Sequence, residues 1–342
     1  MASSGTRLGP VRGVAIVGSG SARPRDVDPG ALELDTDGAL AALGATSAHA
    51  AGWGVATRQW LGPPGVAARI GPEELAAEAG ARALAAAGLA RVDAVHVATS
   101  TPRTVSSSLA AKVALRLGQS GLSADVRGGG AGAILAWLEA AALVATGVET
   151  ALVVAVEVIS PYLARGDASA SLYGDGAAAV VLARGPSAGG LDVAFAGTER
   201  VDGRSFTIPG ALPPTADASY AFRAPDRAYT GELRRVRLAA AARLVDAAPP
   251  ADVSLPYGAT REQIGEMEAA LGAPAVTTLA ETGCLGTAAV LASLDACLRS
   301  TSPPTTRSRR SSARATSPLR LRAVAAGGGV VWAAIAWTHA RA

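Results

Sequence analysis

The 342-residue sequence is poor in the side chains that do most protein chemistry. It has two cysteines, three histidines and a single lysine, Lys112. Cys284 and Cys297 form no C-x-x-C pair or Cys/His cluster, which argues against a structural zinc site and a disulfide scaffold. Aromatic residues make up 4% of the chain, whereas 49% is hydrophobic and 40 residues are glycine. The core must then be built from Ala, Val and Leu, with helices and strands closely packed. Positive charge is almost all arginine and the formal net charge is only +3. The arginines are mostly scattered, without interleaved aromatics, so no nucleic-acid partner is expected. Apolar stretches are broken by Gly, Asp or Arg before they reach membrane-spanning length, and "MASSGTRLGPVRGVAIVG" lacks the pattern of a secretory signal. A cytoplasmic protein with no membrane partner is the expectation.

What is present is an alternation of buried strands and helices. "VRGVAIVGSGSARP" reads as a strand. Residues 71–88 read as a helix with Pro72 in its first turn, Glu73 and Glu74 at its positive end and Gly88 as its stop. "VDAVHVATSTP" is a strand with a loop, and a helix follows around 107–117, where Ser106, Ser107 and Ser108 serve as caps. "GVETALVVAVEV" and "SLYGDGAAAVVLARG" supply two more strands. The second half repeats this order with helices at 231–247 and 261–271, the strand "ADVSLPYGAT", the turn and helix "TTLAETGCLGTAAVLASLDACL", and "AVAAGGGVVWAAIAWTHA". The pattern is an internal duplication, with halves at 1–184 and 185–342, and it predicts an α/β fold. Residues 185–230 read as loops with an edge strand. The basic tract 301–318 reads as a solvated loop, the alternative being a phosphate-binding loop for a carrier or coenzyme.

"DVRGGGAGAILAWLEAA", residues 125–141, is a strand end running through three glycines into an apolar helix. It lacks the spacing and the lysine of a phosphate loop. Such a junction suits a nucleophile, yet glycine stands where one is expected. With "GVATRQW" at 54–60, "LYGDGAAAVVL" at 172–182, "SLPYGAT", "ETGCLGTAAV" and "AGGGVVWAAIAW" at 326–337, the chain resembles the ketoacyl-acyl-carrier-protein synthase III group of the thiolase superfamily over nearly its whole length. The resemblance implies a thiolase-like five-layered α-β-α-β-α fold from two duplicated halves, usually assembled as a dimer. It also implies a Cys-His-Asn set acting on thioesters. The cysteine position maps to Gly130, the histidine to Tyr257 and the asparagine to Cys284. Glycine cannot form a thioester, so the ordinary covalent mechanism is not expected.

Three residues remain as catalytic candidates. Cys284 follows a glycine turn before a helix, where a thiol pKa is lowered; it reads as the second-half counterpart of Gly130, or else as a small core residue. Glu281 lies three residues earlier, placed to orient a base or a proton. Tyr257 offers a phenol as hydrogen-bond donor, or fills the volume of the usual histidine. The backbone N–H groups of Gly129 and Gly130 are candidates to hold a thioester carbonyl. His49, His96 and His339 do not occupy the family's position. No permanently bound cofactor is expected; coenzyme A or phosphopantetheine thioesters are the implied substrates, and acyl-CoA or acyl carrier protein the implied partners. The resulting expectation is a non-condensing acyltransferase of bacterial polyketide-type metabolism. The alternatives are an inactive ketosynthase-like subunit that forms a heterodimer with an active homologue rather than a homodimer, and an acyl-ligand binding module.

Overall fold

The computed structural model describes residues 5–200, 207–208, 221–222, 227–300, 317–328 and 331–340. Residues 301–316 of the basic tract therefore lie outside the described residues. The chain begins with short strands β1 (Thr6–Leu8) and β2 (Val11–Arg12) and the long strand β3 (Val14–Ala22). A side unit follows: helix α1 (Pro24–Val27), strand β4 (Leu32–Asp35), helix α2 (Thr36–Leu43) and strand β5 (Thr57–Trp60), with β4 and β5 paired antiparallel. The first large unit continues as α3 (Pro72–Ala87), β6 (Ala94–Ala98), α4 (Leu109–Arg116), β7 (Leu122–Val126), α5 (Gly132–Thr146), β8 (Thr150–Glu157) and β9 (Gly176–Arg184). The second runs β10 (Gly190–Thr198), α6 (Arg227–Ala247), β11 (Val253–Pro256), α7 (Arg261–Leu271), α8 (Leu279–Thr282), α9 (Ala289–Arg299), β12 (Leu319–Gly327) and β13 (Val331–His339).

Two mixed sheets result. One has the order β3-β9-β8-β6-β7, and the other β1-β10-β13-β12-β11, with β2 also on β10. In each, three long antiparallel strands, β3-β9-β8 and β10-β13-β12, are continued by parallel pairing: β6 is parallel to β7 and β8, and β11 to β12. An isolated parallel bridge from Ser254 to Ala275 stands beside β11 as β7 stands beside β6. α3 and α4 pack on the outer face of the first sheet, and α6 and α7 on the outer face of the second. α5 and α9 lie between the sheets in the largest core cluster. This is a five-layered α-β-α-β-α arrangement, the thiolase-like fold.

Local chemistry explains the main elements. Pro72 starts α3, the Glu74 carboxylate accepts the Gly71 N–H at 3.0 Å, and Gly88 at φ 65° ends it. Ser108 caps α4 by accepting from the Ala111 N–H. Asp125, at the end of β7, accepts from the Leu109 and Ala110 N–H groups of the same helix at 2.9 and 2.6 Å. β8 is covered on both faces, and from Ala151 to Glu157 every residue is buried; hence its unbroken apolar run rather than an alternating one.

Several expectations need correction. Residues 129–146 are long and apolar enough to cross a membrane, contrary to the reading that every apolar stretch is interrupted, but they form the central helix and its lead-in turn, 61% buried. Their uniform hydrophobicity reflects sheets on both sides. Within this layer Trp137 meets Trp337 with ring centroids 5.1 Å apart. Truncating either buried indole costs about 3–5 kcal/mol. β10 is not an edge strand, because β1 and β2 pair with its outer side. The start of β12 was hidden by its arginines. Arg322 is buried, with Nη1 donating to the Leu271 carbonyl at 2.7 Å and Nη2 to those of Ala248 and Pro249 at 3.1 and 2.8 Å. It thereby caps the carbonyl ends of α7 and α6.

Candidate active site

Two short 3-10 turns face one another where the central helices begin. Gly129–Ala131 leads into α5 and Gly286–Ala288 into α9. Gly129 has φ +52° and Gly286 φ +51°, a left-handed conformation that favours glycine. The turns are thus equivalent residue by residue, and the counterpart of Gly130 is Thr287. Cys284 lies three residues earlier, which corrects the expected equivalence. The sequence misled because the only reactive-looking side chain nearby attracted the alignment.

Gly130, Tyr257 and Cys284 do come together. A Cβ placed on Gly130 would lie 2.8 Å from Tyr257 Cζ and 3.0 Å from the Ala326 carbonyl oxygen. The phenol ring therefore occupies the space a side chain at 130 would need. Tyr257 extends from the end of β11, and its N–H is held by the Val324 carbonyl at 3.1 Å. Its ring packs against the buried Cys284, and the two groups influence one another's titration. Cys284 is fixed by its own N–H on the Leu172 carbonyl at 2.8 Å and by a bridge to Tyr173.

This environment is not that of an activated thiol. Burial pushes the Cys284 thiol up to about 11, outweighing the lowering influence of Gly286 and Tyr257 beside it. At pH 7 roughly one molecule in ten thousand then carries the thiolate. The expected lowering by a helix start fails because the sulfur precedes the turn and is sealed among apolar groups. Burial also raises the Tyr257 phenol well above its ordinary value, with the neighbouring Cys284 adding to the effect, so it stays a hydrogen-bond donor. Glu281 is not part of this group. It is exposed on α8, with its N–H donating to the Thr278 carbonyl at 3.0 Å and its carbonyl accepting from the Thr57 hydroxyl at 3.1 Å.

In front of Gly129 and Gly130 opens a cavity of about 540 Å³. Tyr257, Thr287, Glu157 and Arg237 line it together with the apolar Leu172, Ile208 and Phe222. Arg237, on α6, is only 4% exposed. Its Nη1 donates weakly to the Tyr257 carbonyl at 3.3 Å, and among the described residues its buried Nε has no partner. The acid on the next turn, Glu266 of α7, is engaged by Arg234 instead. Burial lowers the Arg237 pKa, yet a guanidinium stays charged at neutral pH. Glu157, at the end of β8, is 2% exposed and accepts from the Ser100 N–H and the Thr101 hydroxyl at 2.7 and 2.8 Å. Neither residue was a sequence candidate. The one signal was an acid interrupting "LVVAVEV" and an arginine on the apolar side of α6. Among the described residues no three His, Cys, Asp or Glu side chains gather as a metal site.

The sequence profile of 3-oxoacyl-[acyl-carrier-protein (ACP)] synthase III matches residues 124–198. A β-ketoacyl-[acyl-carrier-protein] synthase III of Streptomyces coelicolor is 32% identical over 267 residues, covering 72% of this chain and 76% of that protein. Among solved structures, 3-oxoacyl-(acyl carrier protein) synthase III of Pseudomonas aeruginosa superposes with TM-score 0.79 at 28% identity, over 96% of this chain and 99% of the other. A tetronic acid condensing enzyme shares the fold at TM-score 0.71 and 24% identity, over 95% and 99% of the two chains. The β-ketoacyl synthase relatives are condensing enzymes, which overturns the expectation of a non-condensing acyltransferase. That expectation gave three side-chain positions more weight than the retained cavity and the turns around it. By identity and coverage, the chain belongs to the β-ketoacyl-[acyl-carrier-protein] synthase III family.

Proposed function

We propose that this chain performs the carbanion-forming half of condensing chemistry on a carboxylated acyl thioester of coenzyme A or an acyl carrier protein, without an acyl-enzyme. The observation that carries the reading is Arg237, a buried guanidinium in the cavity wall with a free Nε and no carboxylate partner among the described residues. In this reading the family's cysteine, histidine and asparagine are replaced by Gly130, Tyr257 and Cys284. Glycine offers no nucleophile, so each acyl group stays on its pantetheine sulfur. Loss of CO₂ breaks the bond between the α-carbon and the carboxyl group, and the electron pair passes onto the α-carbon and the thioester oxygen. The Arg237 guanidinium and the protonated Tyr257 hydroxyl supply donors to that oxygen. The carbanion then attacks a second thioester carbonyl, whose sulfur leaves as thiolate, or takes up a proton if no donor is present.

The test uses malonyl-CoA and malonyl-carrier labelled at the free carboxyl. Labelled CO₂ and acetyl thioester are expected, with a ketoacyl product when an acyl-CoA is added. The intact mass of the protein should not change. No CO₂ from either substrate, or a stable acyl adduct, would overturn the reading. Arg237→Gln should slow CO₂ release about 100-fold at saturating substrate; a rise in KM alone would make Arg237 a carboxylate receptor only.

The same reading takes residues 1–184 and 185–342 as the two duplicated halves and places the chain in the cytoplasm. It also takes the assembly as a homodimer joined at β7, the free edge of the first sheet, where Leu122 is 49% exposed and Leu115 of the adjoining α4 is 76% exposed. Sedimentation of the purified chain at twice the monomer mass supports this; a monomer argues against it.

A further inference from the structure

Thr287, the counterpart of Gly130, holds its hydroxyl between a carboxyl and a carbonyl oxygen, with the Ser100 hydroxyl at 3.3 Å as a further neighbour that can donate or accept. The Thr287 hydroxyl lies 2.6 Å from Glu157 Oε1 and 2.9 Å from the Gly129 carbonyl oxygen. A hydroxyl has one proton to donate. Both contacts are hydrogen bonds at once only if the second proton comes from Glu157. The other Glu157 contacts leave room for this. Oε2 accepts from the Thr101 hydroxyl at 2.8 Å, and that hydroxyl is itself oriented by the Val158 N–H at 2.9 Å. Oε1 accepts from the Ser100 N–H at 2.7 Å and keeps a direction free toward Thr287.

We propose that Glu157 is a positioning residue, whose carboxyl proton lets the Thr287 hydroxyl hold the Gly129 carbonyl and so fixes the Gly129–Gly130 peptide at the cavity wall. With the proton present, the chain of donation runs from Glu157 Oε1 to Thr287 Oγ1 to the Gly129 oxygen. With the proton gone, Thr287 turns its only hydrogen to the carboxylate, and the Gly129 carbonyl loses this bond. The peptide then tilts, and the direction of the Gly130 N–H at the cavity wall changes with it. The thioester whose carbonyl meets that N–H would be held less well, a consequence that rests on the function proposed above.

The protonated form is favoured by position. Burial raises the Glu157 pKa, against the lowering effect of its hydrogen bonds from Thr287, Ser100 and Thr101. The titratable groups whose fields couple to it are Tyr162 from the turn Ser160–Tyr162, Tyr257 after β11 and Cys284 before the second 3-10 turn. All three are shifted upward and neutral around pH 7, so none adds a negative neighbour there. Arg103 acts on Tyr162, and Arg237 on Tyr257 and Cys284, and neither pairs with Glu157.

The experiment follows the glycine amides of the whole chain, labelled with ¹⁵N-glycine, by NMR as the pH is raised. An amide nitrogen reports the hydrogen bond on the carbonyl preceding it, so Gly130 reads out Gly129. One glycine amide should move with pH in the wild type and stay fixed in both Glu157→Gln and Thr287→Val. Glu157→Gln keeps a donor toward Thr287, so its fixed position should match the wild type at acid pH; Thr287→Val should match neither end. A wild-type spectrum without such a titration, or a titration persisting in Glu157→Gln, would overturn the proposal. Acetyl-CoA affinity is measured in parallel. It should weaken about tenfold through the same titration in the wild type and stay level in Glu157→Gln. Absence of acetyl-CoA binding at any pH would count against the proposed function alone, since the amide titration needs no ligand.

Discussion

Restoring a side chain at position 130 tests how the site is packed. Gly130→Ala adds only a Cβ, at 2.8 Å from Tyr257 Cζ, 3.1 Å from Tyr257 Cε1 and 3.0 Å from the Ala326 oxygen. Carbon atoms prefer about 3.5–4.0 Å, so the ring must retreat by about 0.7 Å or more. It cannot do so freely, because it packs against the buried cluster around Cys284 and its backbone is tied to β12. Overpacking of this kind costs about 1–3 kcal/mol, a fall in melting temperature of about 1–4 °C for a chain of this size. Gly130→Cys adds a sulfur on top and should be at least as costly. The double change Gly130→Cys with Tyr257→His removes the obstructing phenol ring and should recover most of the loss. Thermal unfolding measures the stability, and intact mass after incubation with acetyl-CoA measures acylation. Gly130→Cys should stay unacylated while Tyr257 is present. A Gly130→Cys protein as stable as the wild type and readily acylated would refute the packing argument.

Other outcomes follow from the same geometry. Cys284, with its thiol pushed up to about 11, should resist iodoacetamide in the native protein near neutral pH and react on unfolding; rapid native labelling would contradict its burial. Cys284→Ala should cost only about 1 kcal/mol of stability and leave CO₂ release from malonyl-CoA intact. Asp175 accepts from the Leu61, Ile159 and Ser160 N–H groups and the Ser160 hydroxyl at 2.6–2.9 Å, and burial raises its pKa to about 6. The folded state then binds the Asp175 proton more tightly than the unfolded state, so this contribution is present below about pH 4 and is lost as pH rises to about 6, of order 3 kcal/mol. Denaturant titrations across that range should show the slope in the wild type and its absence in Asp175→Asn.

Much of the architecture was legible because apolar periodicity records it. The helix at 72–87 carries its own start and stop, and the run "ALVVAV" can only be a strand buried on both faces. The pair β4 and β5 was missed because each strand has four residues, with alternation too short to register. The start of β12 was missed because Arg320 and Arg322 interrupt its apolar pattern, and the burial of Arg322 depends on helix-end carbonyls that meet it only in the fold. The meeting of Gly130, Tyr257 and Cys284 came from motif order and holds in three dimensions. The roles were harder to read. A thiol's reactivity depends on what seals it, and whether an arginine is paired depends on helices that meet only in the fold. Glu157 and Thr287 lie 130 residues apart and become one unit only when α5 and α9 share a layer.

That shared layer also sets a timetable for synthesis. Trp137 leaves the ribosome 200 residues before Trp337, the ring it packs against. At about 5–20 residues per second the interval is about 10–40 s. During that time α5 has a sheet on one side only, and its other apolar face is uncovered. The nascent first half is thus the stage most exposed to aggregation, and a chaperone that masks α5 until β13 arrives would raise the yield of folded protein more than one acting on the finished chain.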